Sequence, residues 1–230
     1  SFDGSFDPGT EVVASRVTAL VVQPDGKVLI GGPFTFINGT NRYGSARLNA
    51  DGSLDHTFIS STNFNPNLAA LDQTNDCPPG YNCDTSTETT AILVQPDGKV
   101  LVGGNFITIA WGHSEGEENQ YFYRFFLARF NPNGSRDSSF NFGAGIIVTW
   151  VNLMALQPDG KALLAGNFTV NGAYRGIARL NADGSLDNTF NPGTGILGSS
   201  ANSMALQPDG KVLIGGSPSM LSGTNRHAIV

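Results

Sequence analysis

Apolar and polar positions alternate here in blocks, and the blocks repeat. "VTALVVQ" at 17–23 is a short, mostly apolar run rich in β-branched residues, which reads as a strand. "PDGK" at 24–27 then places Pro, Asp and Gly where a tight turn wants them. "VLIGG" at 28–32 is a second apolar run, so the pair predicts a β-hairpin. The decapeptide "QPDGKVLIGG" at 23–32 returns as "QPDGKVLVGG" at 95–104, "QPDGKALLAG" at 157–166 and "QPDGKVLIGG" at 207–216. Its aspartates, Asp25, Asp97, Asp159 and Asp209, are 72, 62 and 50 residues apart and are assigned to structural turns. Nearly unbroken apolar runs imply strands covered on both faces, and no segment carries a helical apolar stripe.

The repeat is longer than the decapeptide. "NGTNRYGSARLNADGSLDHTF" follows the first copy, "RFFLARFNPNGSRDSSF" the second and "NGAYRGIARLNADGSLDNTFNPGTG" the third, while "SGTNRHAIV" follows the fourth. The unit is therefore a hairpin, a polar loop, an "ARLN" strand, an "ADGS" turn and a short fourth strand, "LDxxF". Four antiparallel strands per 40–50 residues predict an all-β fold, a β-propeller of four-stranded blades with four units visible. One such sheet cannot bury both its faces, whereas radial stacking of blades does. A β-solenoid fits less well, because its repeats are shorter and lack two hairpin turns.

These motifs, over nearly the whole chain apart from two insertions, resemble the delta-sixty repeat, a family of bacterial β-propeller proteins. The resemblance implies a propeller and a secreted or surface-exposed protein, and it supplies no catalytic residues.

The expected organisation is one propeller domain over 1–230. "FDGSFDPGT" at 2–10 aligns with "LDNTFNPGT" at 186–194, and "NRHAIV" at the other end aligns with "YRGIAR" at 174–179. Two ring arrangements follow: a closed four-bladed ring, or a section of a larger propeller. An unpaired edge at the final blade favours the second.

Composition narrows the function classes. The chain has 230 residues, 40% of them hydrophobic and only 14% charged, with 29 Gly and 12 Pro. That balance suits a turn-rich β protein. A net charge of −6 argues against nucleic acid as a partner, and no apolar run is long enough for a membrane span. Cys77 and Cys83 flank a Pro-Pro-Gly turn in "NDCPPGYNCD". They are expected to form a disulfide, which implies an oxidising compartment; the alternative is two free thiols in an exposed loop.

The insertions carry the candidate chemistry. One spans about 59–90; the other, "ITIAWGHSEGEENQYFYRFF" at 107–126, takes the place of an "NGTNR"-type loop. Strand parity puts both on one face of the disc, opposite the "PDGK" and "ADGS" turns. Loops added to one face of a repeat array are often its binding surface. The expected binding residues are Trp111, His113, Glu115, Glu117, Glu118, Tyr121 and Tyr123, with Tyr81 from the cysteine loop. Exposed aromatics stack on sugars or anchor a protein partner. The plainer reading is that they pin their own loop to the disc.

No metal or cofactor is expected. "HSEGEE" matches no metal-loop spacing, and "DGSLD" at 51–55 and 183–187 lacks the later Glu of an EF-hand, which leaves calcium as a remote reading. Arg47, Arg129 and Arg179 recur at one blade position, as do Arg42, Arg124, Arg175 and Arg226. A role repeated in every blade is expected to be architectural, each Arg bonding carbonyls or an Asp of the adjacent blade. The three histidines, His56, His113 and His227, stand in no catalytic motif. The expected function is a non-catalytic, extracellular or cell-surface scaffold or recognition module for a protein or glycan. The alternatives are a structural subunit that self-assembles through an open blade edge, and a propeller hydrolase or lyase.

Overall fold

The computed structural model describes residues 4–9, 12–14, 16–42, 44–58, 88–114, 117–141, 143, 145–192, 196–197, 201–216, 220–221 and 228–229. Over strand residues 105–114 and 117–126, and in the short strands nearest each end, it describes the backbone alone. Every regular element among the described residues is a β-strand, and every pairing is antiparallel.

The described strands fall into four successive repeat units, each a blade-like set. The first contains β1 (Val12–Ala14), β2 (Ala19–Val22), β3 (Val28–Gly31), β4 (Phe34–Ile37), β5 (Thr40–Asn41) and β6 (Ser45–Leu48). The second contains β7 (Glu88–Val94), β8 (Val100–Ser114) and β9 (Glu117–Phe130). The third contains β10 (Ile146–Leu156), β11 (Ala162–Val170), β12 (Ala173–Tyr174) and β13 (Ile177–Leu180). The fourth contains β14 (Ile196–Leu197), β15 (Ala201–Leu206), β16 (Val212–Gly216), β17 (Met220–Leu221) and β18 (Ala228–Ile229). In the third blade β11 sits between β10 and β12/β13, and the same middle-strand order recurs as β2-β3-β6, β7-β8-β9 and β15-β16-β18.

The "QPDGK" hairpin turn is the same in all four copies. Gly26 donates its N–H to the Gln23 carbonyl at 2.9 Å, and the Lys27 N–H reaches Asp25 Oδ1 at 3.1 Å. Asp97, Asp159 and Asp209 accept the equivalent bond at 3.1 Å. The glycine has φ between +79° and +82° in every copy, the left-handed region that glycine enters without penalty.

Two expectations change at the outer strands. "LDxxF" is not a strand: it contributes a single bridge per blade, Leu48↔Leu54, Phe130↔Arg136 and Leu180↔Leu186. The cause is the next residue. Asp55 Oδ1 accepts the N–H of Thr57 at 2.8 Å and its hydroxyl at 2.6 Å, which turns the chain out of the ladder. The "NGTNR" loop is also smaller than expected. Asn38 and Gly39 have φ of 45° and 75°, and Asn171 and Gly172 have 50° and 76°. These are two-residue primed turns, after which β5 and β12 pair at once.

Packing runs from blade to blade. Leu29 of the first blade lies in one cluster with Ile92, Val100 and Val102 of the second, with Ala19, Val21 and Val94 against it. Leu93 and Leu101 of the second blade join Ala162 and Met154 of the third. Ala165 and Ile177 of the third join Ala201 and Ile214 of the fourth. The Gly of each "GG" permits this approach: a Cβ on Gly31 would lie 2.4 Å from Thr89, and one on Gly103 would lie 2.7 Å from Val151. Coverage of both faces holds for β3 and for Ala162–Ala165 of β11, but not at the ends of the stack. Leu20 and Val22 are 60% and 63% exposed, and Leu213 is 38% exposed.

Candidate functional site

Two regions compete for the functional role: a side-chain cluster found in every complete blade, and the extension of the second blade. The cluster comes first, because it explains most of the repeated polar residues.

In the first blade Asp55 Oδ2 accepts from Arg47 Nε at 2.7 Å and from Lys27 Nζ at 2.8 Å. In the second, Asp137 Oδ2 accepts from Arg129 Nε at 2.7 Å and Lys99 Nζ at 3.1 Å. In the third, Asp187 Oδ2 accepts from Arg179 Nε at 2.8 Å and Lys161 Nζ at 2.9 Å. Each guanidinium also lies over the Phe that closes "LDxxF": Phe58, Phe140 and Phe190, at 4.7, 4.9 and 4.8 Å from the ring centre. Thus the Lys of one turn, the Arg of "ARLN" and the Asp and Phe of "LDxxF" form one clamp.

The clamp also reaches the next blade. Arg47 Nη1 donates to the Pro132 carbonyl at 2.8 Å, and Arg129 Nη1 donates to the Ala182 carbonyl at 2.9 Å. Gln95 Nε2 donates to that same carbonyl at 3.0 Å. Pro132 and Ala182 belong to the second tight turn of the following blade. Arg179 bonds Gln157 Oε1 at 3.5 Å within its own blade. A cavity of about 270 Å³, lined among others by Asn171, Arg175, Arg179, Asn188 and Phe190, opens beside it.

The electrostatics match a structural part. Burial alone would push Asp55 up, but hydrogen bonds from Lys27, Thr57 and Arg47 outweigh it and hold the carboxyl well below the usual carboxylate range. Asp137 is lowered first by the Ser139 hydroxyl and Asp187 first by the Thr189 hydroxyl, each with help from its Lys and Arg. A carboxylate so committed is a poor base and has no spare lone pairs aimed at a ligand. The turn residues Asp51, Asn133 and Asp183 are likewise engaged, each accepting the N–H and hydroxyl of the Ser two positions on. Among the described residues no group of three His, Cys, Asp or Glu could hold a metal ion. Arg42 of the other arginine series is buried and donates to the Asn41 carbonyl at 2.9 Å. The Arg124 and Arg226 side chains lie outside the described residues.

The second blade differs from its neighbours. The insertion at 107–126 is not a loop: β8 and β9 run on as one antiparallel ribbon from Phe106↔Phe125 to Ser114↔Glu117. The reason is local. Asn171 and Gly172, which turn the chain in the third blade, are replaced at the corresponding positions by Ile109 and Ala110. A β-branched residue and an alanine are both strained at positive φ, so the strand continues. From Ile109 to Ser114 the ribbon adds about 20 Å at ~3.4 Å per residue.

The register distributes the expected binding residues. Trp111 stands opposite Gln120 and His113 opposite Glu118. Tyr121, Tyr123 and Glu117, opposite Ala110, Thr108 and Ser114, occupy the alternate set of register positions. The six residues therefore form two rows, not the one cluster that their proximity in sequence suggested. Glu115, Tyr81, Cys77 and Cys83 lie outside the described residues. The other insertion is shorter than expected at its end, since β7 begins at Glu88. Glu88, the end of β7 away from the "PDGK" turn, pairs with Asn105 in the interior of β8. Sequence reasoning missed the clamp as a unit, although the fixed spacing of Lys, Arg, Asp and Phe in each repeat was a signal for it.

The repeated blade, with its clamp and its close glycine contacts, defines a β-propeller architecture. The chain belongs to DUF5122, the "domain of unknown function (DUF5122) beta-propeller" family, whose model matches residues 23–58, 95–113, 116–140, 157–190 and 207–230. No curated protein matches it. One solved structure similar to it is PorZ, described as an essential bacterial surface component of the type-IX secretion system of Porphyromonas gingivalis. The TM-score is 0.42 at 14% identity, over 87% of this chain and 25% of PorZ. The chain thus spans about a quarter of PorZ, and a likeness at this level says nothing about a shared partner or role. No helix among the described residues is long and apolar enough to cross a membrane.

Proposed function

We propose that this is a non-catalytic propeller of the delta-sixty type, placed outside the cell or on its surface, that presents the second-blade ribbon to a protein or glycan partner. The observation that carries the reading is the ribbon itself. β8 has 15 residues, against nine in β11, the corresponding strand of the third blade, and β9 has 14, where the third blade has β12 and β13 of two and four. Extra strand length that carries Trp111 and Tyr121 beyond the blade adds nothing to the repeat's own packing, so a partner is its most economical purpose. The non-catalytic reading is supported by the clamps, which occupy the buried carboxylates of all three complete blades. A disulfide between Cys77 and Cys83 would agree with an extracellular site, and thiol titration of the unreduced, denatured chain checks that: two free thiols would remove the argument.

The test is a binding screen against a glycan array and surface-protein extracts, with two variants in parallel. One is Trp111→Ala; the other replaces residues 109–122 with the Asn-Gly turn of the third blade. Loss of binding in both with an unchanged melting temperature supports the reading. Undiminished binding by the trimmed variant would move the site elsewhere.

A further inference from the structure

The ribbon of the second blade has an edge that its own sheet leaves open. The sheet runs β7-β8-β9, so β9 stands at its end. The pairing of β7 with β8 stops at Asn105, and from Phe106↔Phe125 to Ser114↔Glu117 the sheet has two strands only. Among the described residues no strand pairs with the far side of β9 over 117–125. A two-stranded hairpin is marginal in water, and an open strand edge is a template for another strand. No Pro interrupts 117–125, which reads "EENQYFYRF", and its charges are of both signs. The second blade packs on a neighbour at each side, so this edge does not depend on what precedes or follows the four repeats.

Pairing of β9 with β9 of a second copy has few registers. In an antiparallel ladder, residues that bond toward the partner alternate with residues that bond away, and a two-fold axis gives both strands the same alternation. Opposed residues therefore sit at positions of the same parity. Arg124 can then face Glu118 but not Glu117. Setting Glu118 against Arg124 fixes the rest: Gln120 stands opposite Phe122, Asn119 opposite Tyr123, Glu117 opposite Phe125, and Tyr121 opposite itself. The register one step to either side sets Arg124 opposite an uncharged residue.

We infer that β9 pairs antiparallel, edge to edge, with β9 of a second copy across a two-fold axis at Tyr121, joining two ribbons into one four-stranded sheet. The occupant is argued from charge. The edge places an acid and a base at positions that answer each other in a copy of itself, and the symmetry makes the match twice. The β8 edge carries no Asp, Glu, Lys or Arg over 106–114 and so has no such register. Main-chain bonds supply the affinity, and the opposed rows set the register, as in strand addition generally. Pairing at an edge leaves both faces of the ribbon open, so this contact goes beyond the reading above and is independent of what binds there.

The test is the mass of the chain by light scattering across a wide concentration range. It compares the unaltered chain, Arg124→Glu, Glu118→Arg, a mixture of those two, and the variant with 109–122 trimmed. The expected species is a dimer, and trimming leaves a monomer. Either single substitution sets like charges opposite each other at both symmetric places and weakens association by about thirtyfold. Mixing the two restores pairs, because the native Glu118 of one copy then faces the native Arg124 of the other, and the two reversed charges face each other. A fold damaged by substitution could not recover in this way, so the mixture separates loss of the edge from loss of the fold. Trp111→Ala, on the other strand, leaves the dimer intact whatever it does to partner binding. A chain monomeric at every concentration, a dimer that survives trimming, one indifferent to Arg124→Glu, or a mixture that stays monomeric would each overturn the inference.

Discussion

The second and third blades are built on the same template and end differently. Both carry "QPDGK", both carry the Arg-Asp-Lys-Phe clamp, and both pack through the same residues on their neighbours. At one pair of positions the third blade has Asn171-Gly172 and turns, and the second has Ile109-Ala110 and runs on into a ribbon. The difference lies at the end of the blade away from the clamp. Variation is therefore confined to the rim that does not hold the blades together.

Substitutions can test that division, the most damaging first. Asp137→Ala and Asp187→Ala remove the acceptor of a Lys and an Arg in the two blades. Each should cost about 3–5 kcal/mol in urea unfolding, since the partner charges are left unpaired. A much smaller loss in the second blade would mean its ribbon shares the work of stabilising it. Gly184→Ala should cost about 1–3 kcal/mol: φ is +97°, and a Cβ would sit 2.3 Å from the Phe140 ring. Gly210→Ala, with φ +82° and nothing within 4 Å, isolates the backbone share and should cost less.

Replacing Asn171-Gly172 by Ile-Ala should cost about 1–2 kcal/mol by thermal melt, because one turn then needs two unfavourable φ values. Trimming the ribbon should change stability least, within about 0.5 kcal/mol. Acid gives a further contrast. The clamp aspartates are lowered in the folded state, so their contribution is fully present above the unfolded value of about 3.9 and is lost as pH falls toward the folded value. Urea midpoints should accordingly not move between neutral pH and mild acid on their account. They should fall once the medium is more acid than an ordinary carboxylate, and Asp187→Ala should flatten that fall.

Much of this was legible in the sequence. The hairpins follow from "PDGK" between apolar runs, and the blade from the spacing of its turns, because turn chemistry is local. The fourth strand misled, since an Asp that captures the Thr or Ser two residues on competes with the ladder, and strand propensity does not register that contest. The ribbon was read as a loop because it stands where the other repeats carry the "NGTNR"-type segment. Its paired rows come from the cross-strand register, which depends on both halves at once. The expected binding residues were close in sequence, but alternation along the ribbon separates Trp111 from Tyr121 and Tyr123 in register.

The bonds from Arg47 to the Pro132 carbonyl and from Arg129 to the Ala182 carbonyl run in one direction, the first and second blades each gripping the next. Directionality of this kind makes the stack a one-dimensional cooperative array, in which every unit's stability contains a term owned by its neighbour. Opening should then propagate as a front. Amide exchange should be slowest in β7 to β11, which have a neighbour on each side, and local damage should spread further toward the blade that grips than toward the blade that is held.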